Sequence, residues 1–373
     1  MVDLSAENGV TYYTNANEGS TTLLAANAGQ MKNAQIQGSN MVARSRVGYA
    51  ALASAAAAND VKSFGKASAW VVKRLAASLI KRLEIQLLHG QRGLGVVASY
   101  GTTTATTAVC VISDEQWAAG IWAGSEGATL DAYAAADLAT KLNTTGALTI
   151  TAVDVPNKSI TISGAGGDIT AVTGAASSTF FWETASAATE FAGLDKILRN
   201  TGSLFGIDAA AYSLWASNVY STTTGTPSMA KINAAVSMTA SFGNSKDVIA
   251  VVSPKCFEIL NSDQAAQRLY DSSYDPSQAQ NGMKGIKFYG QTGVIEIVPD
   301  LFQKDGLIHI FPPEEAHRPG ATDCTFLKRF GDASESLILE NADSPSSEMR
   351  AQSNQALLLE APRHAVVMAG VTV

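Results

Sequence analysis

The sequence is short of the groups on which most protein chemistry depends. Aromatic residues make up 7% of its 373 positions and charged residues 16%, and there are four histidines and three cysteines. Cys110, Cys256 and Cys324 are far apart and odd in number, so they form neither a metal-ligand spacing nor a disulfide framework. They read as reduced, mostly buried thiols in a protein made in the cytosol. No apolar run approaches the roughly 18 residues that a membrane span needs. The alanine-rich tract at 50–58 is too short, and the opening MVDLSAENG has neither the basic nor the apolar part of a secretory signal. A net charge of −7 argues against a general nucleic-acid binder, which carries a basic field.

Catalytic patterns are also missing. His309 and His317 flank Glu314 and Glu315 in HIFPPEEAHRP, but there is no HExxH spacing, and Pro312-Pro313 prevents a helix that would align them. Gly164-Ala165-Gly166-Gly167-Asp168 is glycine-rich, yet no Lys-Ser/Thr pair follows. It reads as a hairpin turn leading into a strand. No G-x-S-x-G elbow occurs and no cysteine has a nucleophile's surroundings. The chain is therefore expected to be no enzyme, with no catalytic, cofactor-binding or metal-ligating residues.

What is abundant is small and apolar. Hydrophobic residues make up 46%, much of it alanine, and glycine, serine and threonine are common. That suits extended β structure and broad, close contacts. The most regular stretch is Ser68–Gly90, SAWVVKRLAASLIKRLEIQLLHG. Val72, Leu75, Ala76, Leu79, Ile80, Leu83 and Leu87 follow helical spacing and predict one apolar stripe. Lys73, Arg74, Lys81, Arg82 and Gln86 fall off it. Ser68 is the expected N-cap, Gly90 the left-handed residue that ends the helix, and His89 a cation at the negative end of the dipole. Positive charge concentrates around this helix, at Arg44, Arg46, Lys62, Lys66, Lys73, Arg74, Lys81, Arg82 and Arg92, against only Asp60 and Glu84.

Ahead of the helix, Val10–Thr14 (VTYYT) has β character and NANEGS follows as a turn, so the front reads as an extended arm without a core of its own. After it, residues 96–112 read as strand. Asp131–Leu142 has helical spacing. Leu148–Ser163 gives two alternating strands joined at Pro156-Asn157, and Ile169–Val172 and Thr179–Trp182 two more. From about 195 to 330 helices alternate with buried strands: helix at 228–243, VIAVV at 248–252, helix at 255–260, then GVIEIVP and GLIHIF, an α/β or α+β pattern. Strands at Leu337–Leu339, Ala356–Glu360 and Ala365–Val373 close the chain.

Four stretches, in order, resemble the major capsid protein of tailed bacteriophages, with the HK97-like shell fold: VVKRLAASLIKRLEIQLLHGQRGLG, GLDKILRNTGSLFGIDAAAYSLWASNVY, VIAVVSPKCFEIL and the closing EMRAQSNQALLLEAPRHAVVMAGV. The resemblance implies an α+β fold in which a long spine helix packs on a β-sheet. It assigns 1–65 to an N-terminal segment and extended loop, and 66–192 to a peripheral domain with a β-rich extension or insertion. Residues 193–335 become an α/β axial domain, and 336–373 the returning strands of the peripheral domain. It also implies self-assembly into pentamers and hexamers of an icosahedral head around double-stranded DNA bound without sequence specificity. Portal, scaffold and decoration proteins are the implied partners, and the location is the virion, assembled in the host cytoplasm, with no membrane. Tyr12, Tyr13, Arg44, Arg46, Lys62, Lys66, Lys73 and Lys81 are the expected inter-subunit contacts, with 10–27 as the overlapping loop tip. The other readings are an encapsulin-like compartment with the same fold, and a β-rich virion surface or tail protein.

Overall fold

In a computed structural model of the chain, the residues described are 2–5, 10–14, 19–25, 29–48, 61–134, 140–182, 186–262, 286–327, 339–340 and 346–373. The chain opens with β1 (Val2–Ser5), which pairs antiparallel with β2 (Gln30–Lys32). Val2 and Leu4 are buried against Ile207, Ala209 and Trp215. The front of the chain, expected to lack a core, is therefore anchored at its base by another part of the molecule. Next comes β3 (Ser39–Gly48), and then α1 (Val61–His89).

Helix α1 has 29 residues and is about 44 Å long at 1.5 Å per residue. It begins two turns before the expected cap, so Ser68 is an interior helical residue. No proline interrupts 61–67, and the glycine at 65 costs only about 1 kcal/mol against alanine. Leu75, Leu79 and Leu83 are buried as the stripe predicts, but Ile80 is 44% exposed and Gln86 is buried. Three layers converge on the last two turns, so the helix is covered there on more than its apolar face.

The next segment is a closed barrel. Its strands are β4 (Gly95–Thr103), β5 (Thr107–Ile112), β6 (Thr129–Ala134), β7 (Leu148–Asp154), β8 (Ser159–Ser163) and β9 (Ser178–Trp182). They close in the order β4-β5-β8-β7-β6-β9. Trp117, Ile121, Trp122, Ile150, Ile160 and Phe180 fill the interior. Two expectations fail here. Asp131–Leu142 is not a helix: its start is β6, paired on both sides by β7 and β9, and 135–139 lie outside the described residues. Barrel closure satisfies every edge, which outweighs a weak helical spacing. Ile169–Val172 is not a strand but the middle of α2 (Gly166–Gly174). Its β-branched residues mimic a strand, whereas the buried pair Ile169 and Val172 has helical spacing. The glycine-rich Gly164–Asp168 stretch opens this helix rather than turning a hairpin.

The chain continues through α3 (Leu194–Leu198), β10 (Ser203–Leu204) and β11 (Ile207–Asp208). Phe205 and Gly206 join the last two, both at positive φ, as a two-residue hairpin turn needs. Then come β12 (Val219–Gly225), α4 (Met229–Ser241), capped by the Ser228 hydroxyl, β13 (Val248–Val252) and α5 (Pro254–Ser262). After them lie β14 (Ile286–Tyr289), β15 (Val294–Pro299), β16 (Leu307–Phe311), β17 (Ala316–His317) and β18 (Thr322–Phe326). The end of the chain supplies β19 (Leu339–Glu340), β20 (Ser346–Gln355), β21 (Leu358–Leu359) and β22 (Val366–Val371).

A six-stranded mixed sheet, β12-β22-β16-β13-β15-β14, is packed by α4 and α5 around Ile232, Val236, Cys256, Ile295 and Ile310. A second sheet has β20 at its centre, with β18 and β19 on one side and β3 along the other. Helix α1 packs on that sheet through Leu75 and Leu79 against Met349 and Ala351. The ten-residue β20 was not expected from its polar sequence SSEMRAQSNQ; the expected strand at Ala356–Glu360 shrinks to β21. Ladder hydrogen bonds to β3 run along the whole of β20, and backbone pairing does not require apolar side chains.

Candidate assembly surfaces and a buried polar junction

The expected contact residues lie on the front arm and on β3 with α1. On the front arm, Tyr12 is 91% exposed, and Val10, Tyr13, Leu23 and Leu24 are also exposed. The two runs that carry them approach one another, since the Thr11 hydroxyl accepts a hydrogen bond from the Leu24 amide at 2.9 Å. Residues 15–18 and 26–27 of the expected tip lie outside the described residues.

Strand alternation sets the second feature. It turns Arg44 and Arg46 of β3 outward. Arg46 Nε reaches buried Glu348 of β20 at 3.3 Å, and Arg350 bonds the same carboxylate. The Arg350 hydrogen bond, helped by Arg46, holds the Glu348 carboxyl below its ordinary pKa. Lys62 and Lys66 stand on the first turns of α1, not on a loop. Lys73 is exposed farther along the same helix. Lys81 differs from the others: it is half-buried, with its Nζ 3.5 Å from the Ala123 carbonyl of the barrel segment. Burial first, and then neighbouring Arg82, pulls its pKa down. The eight residues thus form an arm pair, a strand pair and a helical series, with Lys81 turned inward.

Sequence reasoning missed a buried polar junction where α1, the barrel and the six-stranded sheet meet. Asp195 of α3 receives Arg199 Nε at 2.8 Å and Arg92 Nε at 3.1 Å, with His309 Nε2 at 3.5 Å. Burial pushes this carboxyl up, but the His309 hydrogen bond and the charges of His309, Arg199 and Arg92 hold it well below the usual range. His309 Nδ1 meets Gln303 Oε1 at 3.0 Å. Fully buried Lys304 donates to the Gly93 carbonyl and to Gln116 Oε1, both at 2.8 Å, which ties the sheet to both ends of the first barrel crossing. His89 is buried too, its Nε2 3.1 Å from the Phe302 carbonyl. Burial, Lys304 and His309 hold its pKa well below 6.5, so it is no cation at the helix end. Nothing in the sequence near Lys304, in FQKDG, separates it from an ordinary loop lysine.

The His/Glu motif is pulled apart. His309 joins this junction, His317 bonds Glu360 at the surface at 2.9 Å, and Glu315 pairs with His364 and Lys246. Among the described residues no group of three or more His, Cys, Asp or Glu is placed to hold a metal ion. No helix is long and apolar enough to cross a membrane, again among the described residues.

No family model matches this sequence, and no curated protein matches it. Solved structures do. The capsid asymmetric unit of cyanophage A-1(L) aligns over 100% of this chain and 90% of that chain, at 12% identity and a TM-score of 0.50. The capsid of an empty GTA particle aligns over 100% of this chain and 84% of that one, at 8% identity and a TM-score of 0.46. An encapsulin from Synechococcus elongatus covers 44% of this chain and 58% of that one, at 9% identity and a TM-score of 0.25. At such identities the likeness is one of fold: the chain has the mixed helix-and-sheet fold of a phage capsid protein.

Proposed function

We propose that this capsid fold serves as the major shell subunit of a tailed-phage head, forming pentamers and hexamers that close into an icosahedral container for double-stranded DNA. The observation that carries the reading is the alignment of the whole chain with a cyanophage capsid subunit across nearly all of that subunit's length. The exposed apolar arm supports it, because Tyr12, Tyr13, Leu23 and Leu24 stay in water until another surface covers them.

In this reading α1 is the spine helix, packed on the β3–β20 sheet as an HK97-like peripheral domain. The six-stranded sheet belongs to the axial domain at 193–335, where subunits gather about five- and six-fold centres. Residues 1–65 supply the overlapping segment and the first turn of α1, and 336–373 return through β19 and β20 to the peripheral sheet and through β22 to the six-stranded one. The barrel is the β-rich insertion within 66–192. No catalytic step is assigned. The work is geometric: one fold repeats its contacts heterologously until they close around symmetry axes. Portal, scaffold and decoration proteins would be its partners in the head, and assembly would take place in the host cytoplasm.

Negative-stain microscopy of the purified chain tests this directly. Closed shells of uniform size are expected; monomers or open fibres at high concentration would overturn it. Shells recovered with a protein cargo and no DNA would replace the phage head with a compartment.

A further inference from the structure

Strand β3 is paired with β20 from end to end, yet among the described residues no strand pairs with its other edge. An open β-edge offers unpaired amides and carbonyls to any extended chain that lies along it. Here the edge borders a hollow of about 600 Å³, walled by residues 39–44 of β3 and floored by Leu75, Leu79 and Ile85 of α1, with Trp182 of the barrel opposite. A second hollow of about 580 Å³ shares Ser39, Asn40, Thr189 and Glu190 with the first, so the two make one trough. Three residues lining the first hollow each keep a buried polar atom without a partner among the described residues: Gln86 Oε1, His89 Nδ1 and Trp182 Nε1. Gln86 and His89 offer acceptors and Trp182 a donor, the complement of a peptide backbone, which carries both.

The same chain carries a segment suited to the trough. Residues 10–14 belong to no helix or strand, with Val10, Tyr12 and Tyr13 exposed; laid out as a strand they would alternate Val10, Tyr12 and Thr14 on one side with Thr11 and Tyr13 on the other. At about 3.3 Å per residue these five span about 17 Å, close to the reach of the six β3 residues that wall the hollow. Charge matches as well. Residues 1–31 carry Asp3, Glu7 and Glu18, on either side of the uncharged 10–14, and no lysine or arginine, whereas Arg44 and Arg82 line the trough against one acid, Glu190. We propose that the trough receives residues 10–14 of a second copy of this chain, added as a strand to the open edge of β3. Main-chain ladder bonds supply the attachment, and the hollow takes alternate side chains, the pattern of strand addition. This rests on the shell reading above and adds the acceptor surface on the neighbouring subunit.

The test places a photoreactive benzoylphenylalanine at position 12 and co-assembles nitrogen-15-labelled with unlabelled protein. After irradiation of assembled particles, mass spectrometry should find position 12 joined to residues 39–44 or 75–90 in mixed-isotope pairs. Shells in which position 12 joins only its own chain, joins another surface, or joins nothing overturn the inference while leaving the shell reading intact. An unaltered chain that never assembles overturns both. Hydrogen exchange on the unaltered protein gives an independent reading: amides of 39–44 should exchange at least tenfold more slowly in shells than in free subunits, and equal rates would overturn the added strand.

Discussion

Glu190 shows what the junction does to a single side chain. It sits beside the turn after α1, where its Oε2 accepts the Gln91 amide at 3.0 Å. Burial pushes its pKa up to about 7, and the Gln91 amide and Lys304 only partly offset this. A carboxyl raised in the folded state contributes stability that is complete below its unfolded pKa, near 4.3, and is lost as pH rises through about 7. Glu190→Gln should therefore leave subunit stability unchanged at pH 4.5 and raise it by about 1–3 kcal/mol at pH 8. Urea unfolding at the two pH values checks this; an equal change at both would remove the strained carboxylate from the account. His89 runs the other way: burial holds it neutral, so its contribution is complete above its unfolded pKa, near 6.5, and fades as pH falls below it. Subtracting the variant's pH profile from that of the unaltered chain isolates Glu190. None of this junction was legible in the sequence. Asp195, Lys304 and His309 sit on three separate elements, and which charges become buried depends on where those elements meet.

At the scale of elements, α1 separates what periodicity can and cannot tell. Leu79 and Ile80 belong to the same predicted stripe, yet Leu79 is 2% exposed against Met349 and Ala351, and Ile80 is 44% exposed. Leu79→Ala should cost about 2–5 kcal/mol, whereas Ile80→Ala should stay below about 1 kcal/mol. Denaturant midpoints of the two variants decide the matter, and equal losses would mean that α1 packs on a different face. The place of the helix stop was readable from Gly90, but the left-handed residue is Gln91, at φ 60°, and Gly90 is needed for another reason. Gly90 and Gly193 cross backbone to backbone, with the Gly193 amide bonded to the Gly90 carbonyl at 3.0 Å. A methyl group on Gly90 would run into the Phe191 carbonyl and come within 2.6 Å of the Gln86 carbonyl. Gly90→Ala should thus cost more than any surface change on the helix, with loss of soluble subunit as the readout. The long helix, the β7–β8 hairpin and the buried strand β13 were legible because one local pattern dominates each. Strand β6, helix α2 and the polar β20 were not, because barrel closure, helical burial of β-branched residues and ladder pairing with β3 decide them from outside the segment.

The described residues hold two large apolar cores, one in the barrel and one under the six-stranded sheet, which meet at the polar junction, and several smaller ones. The barrel leaves and rejoins the chain at one place, since Gly95 pairs with Phe180 and the Leu94 amide bonds the Phe180 carbonyl at 2.7 Å. A segment whose ends meet and whose core is its own but for Ile85 of α1 and the packing of Phe302 should fold alone. An isolated 94–182 fragment is expected to melt cooperatively by circular dichroism, and a gradual, featureless transition would show that the barrel borrows its core from α1. Charge is also laid out at this scale. The chain carries −7 overall, yet Arg44, Arg46 and Lys73 are exposed near its open strand edge and along α1. The basic concentration was legible in the sequence; the inward turn of Lys81 was not, because the Ala123 carbonyl it faces lies 42 positions away. Reversing Lys81 would therefore mix folding with assembly, and the clean variant is Arg44→Glu with Lys73→Glu. Both sites are exposed, so subunit stability should change by no more than about 0.5 kcal/mol per site. If an acidic partner segment meets this surface, the double variant should need several-fold more protein to assemble at 0.15 M salt, where the Debye length is about 8 Å. The deficit should shrink at 1 M, where it is about 3 Å. Light scattering across a protein and salt series reads both effects, and assembly equal to that of the unaltered chain at every salt would mean that subunits do not meet through the basic edge.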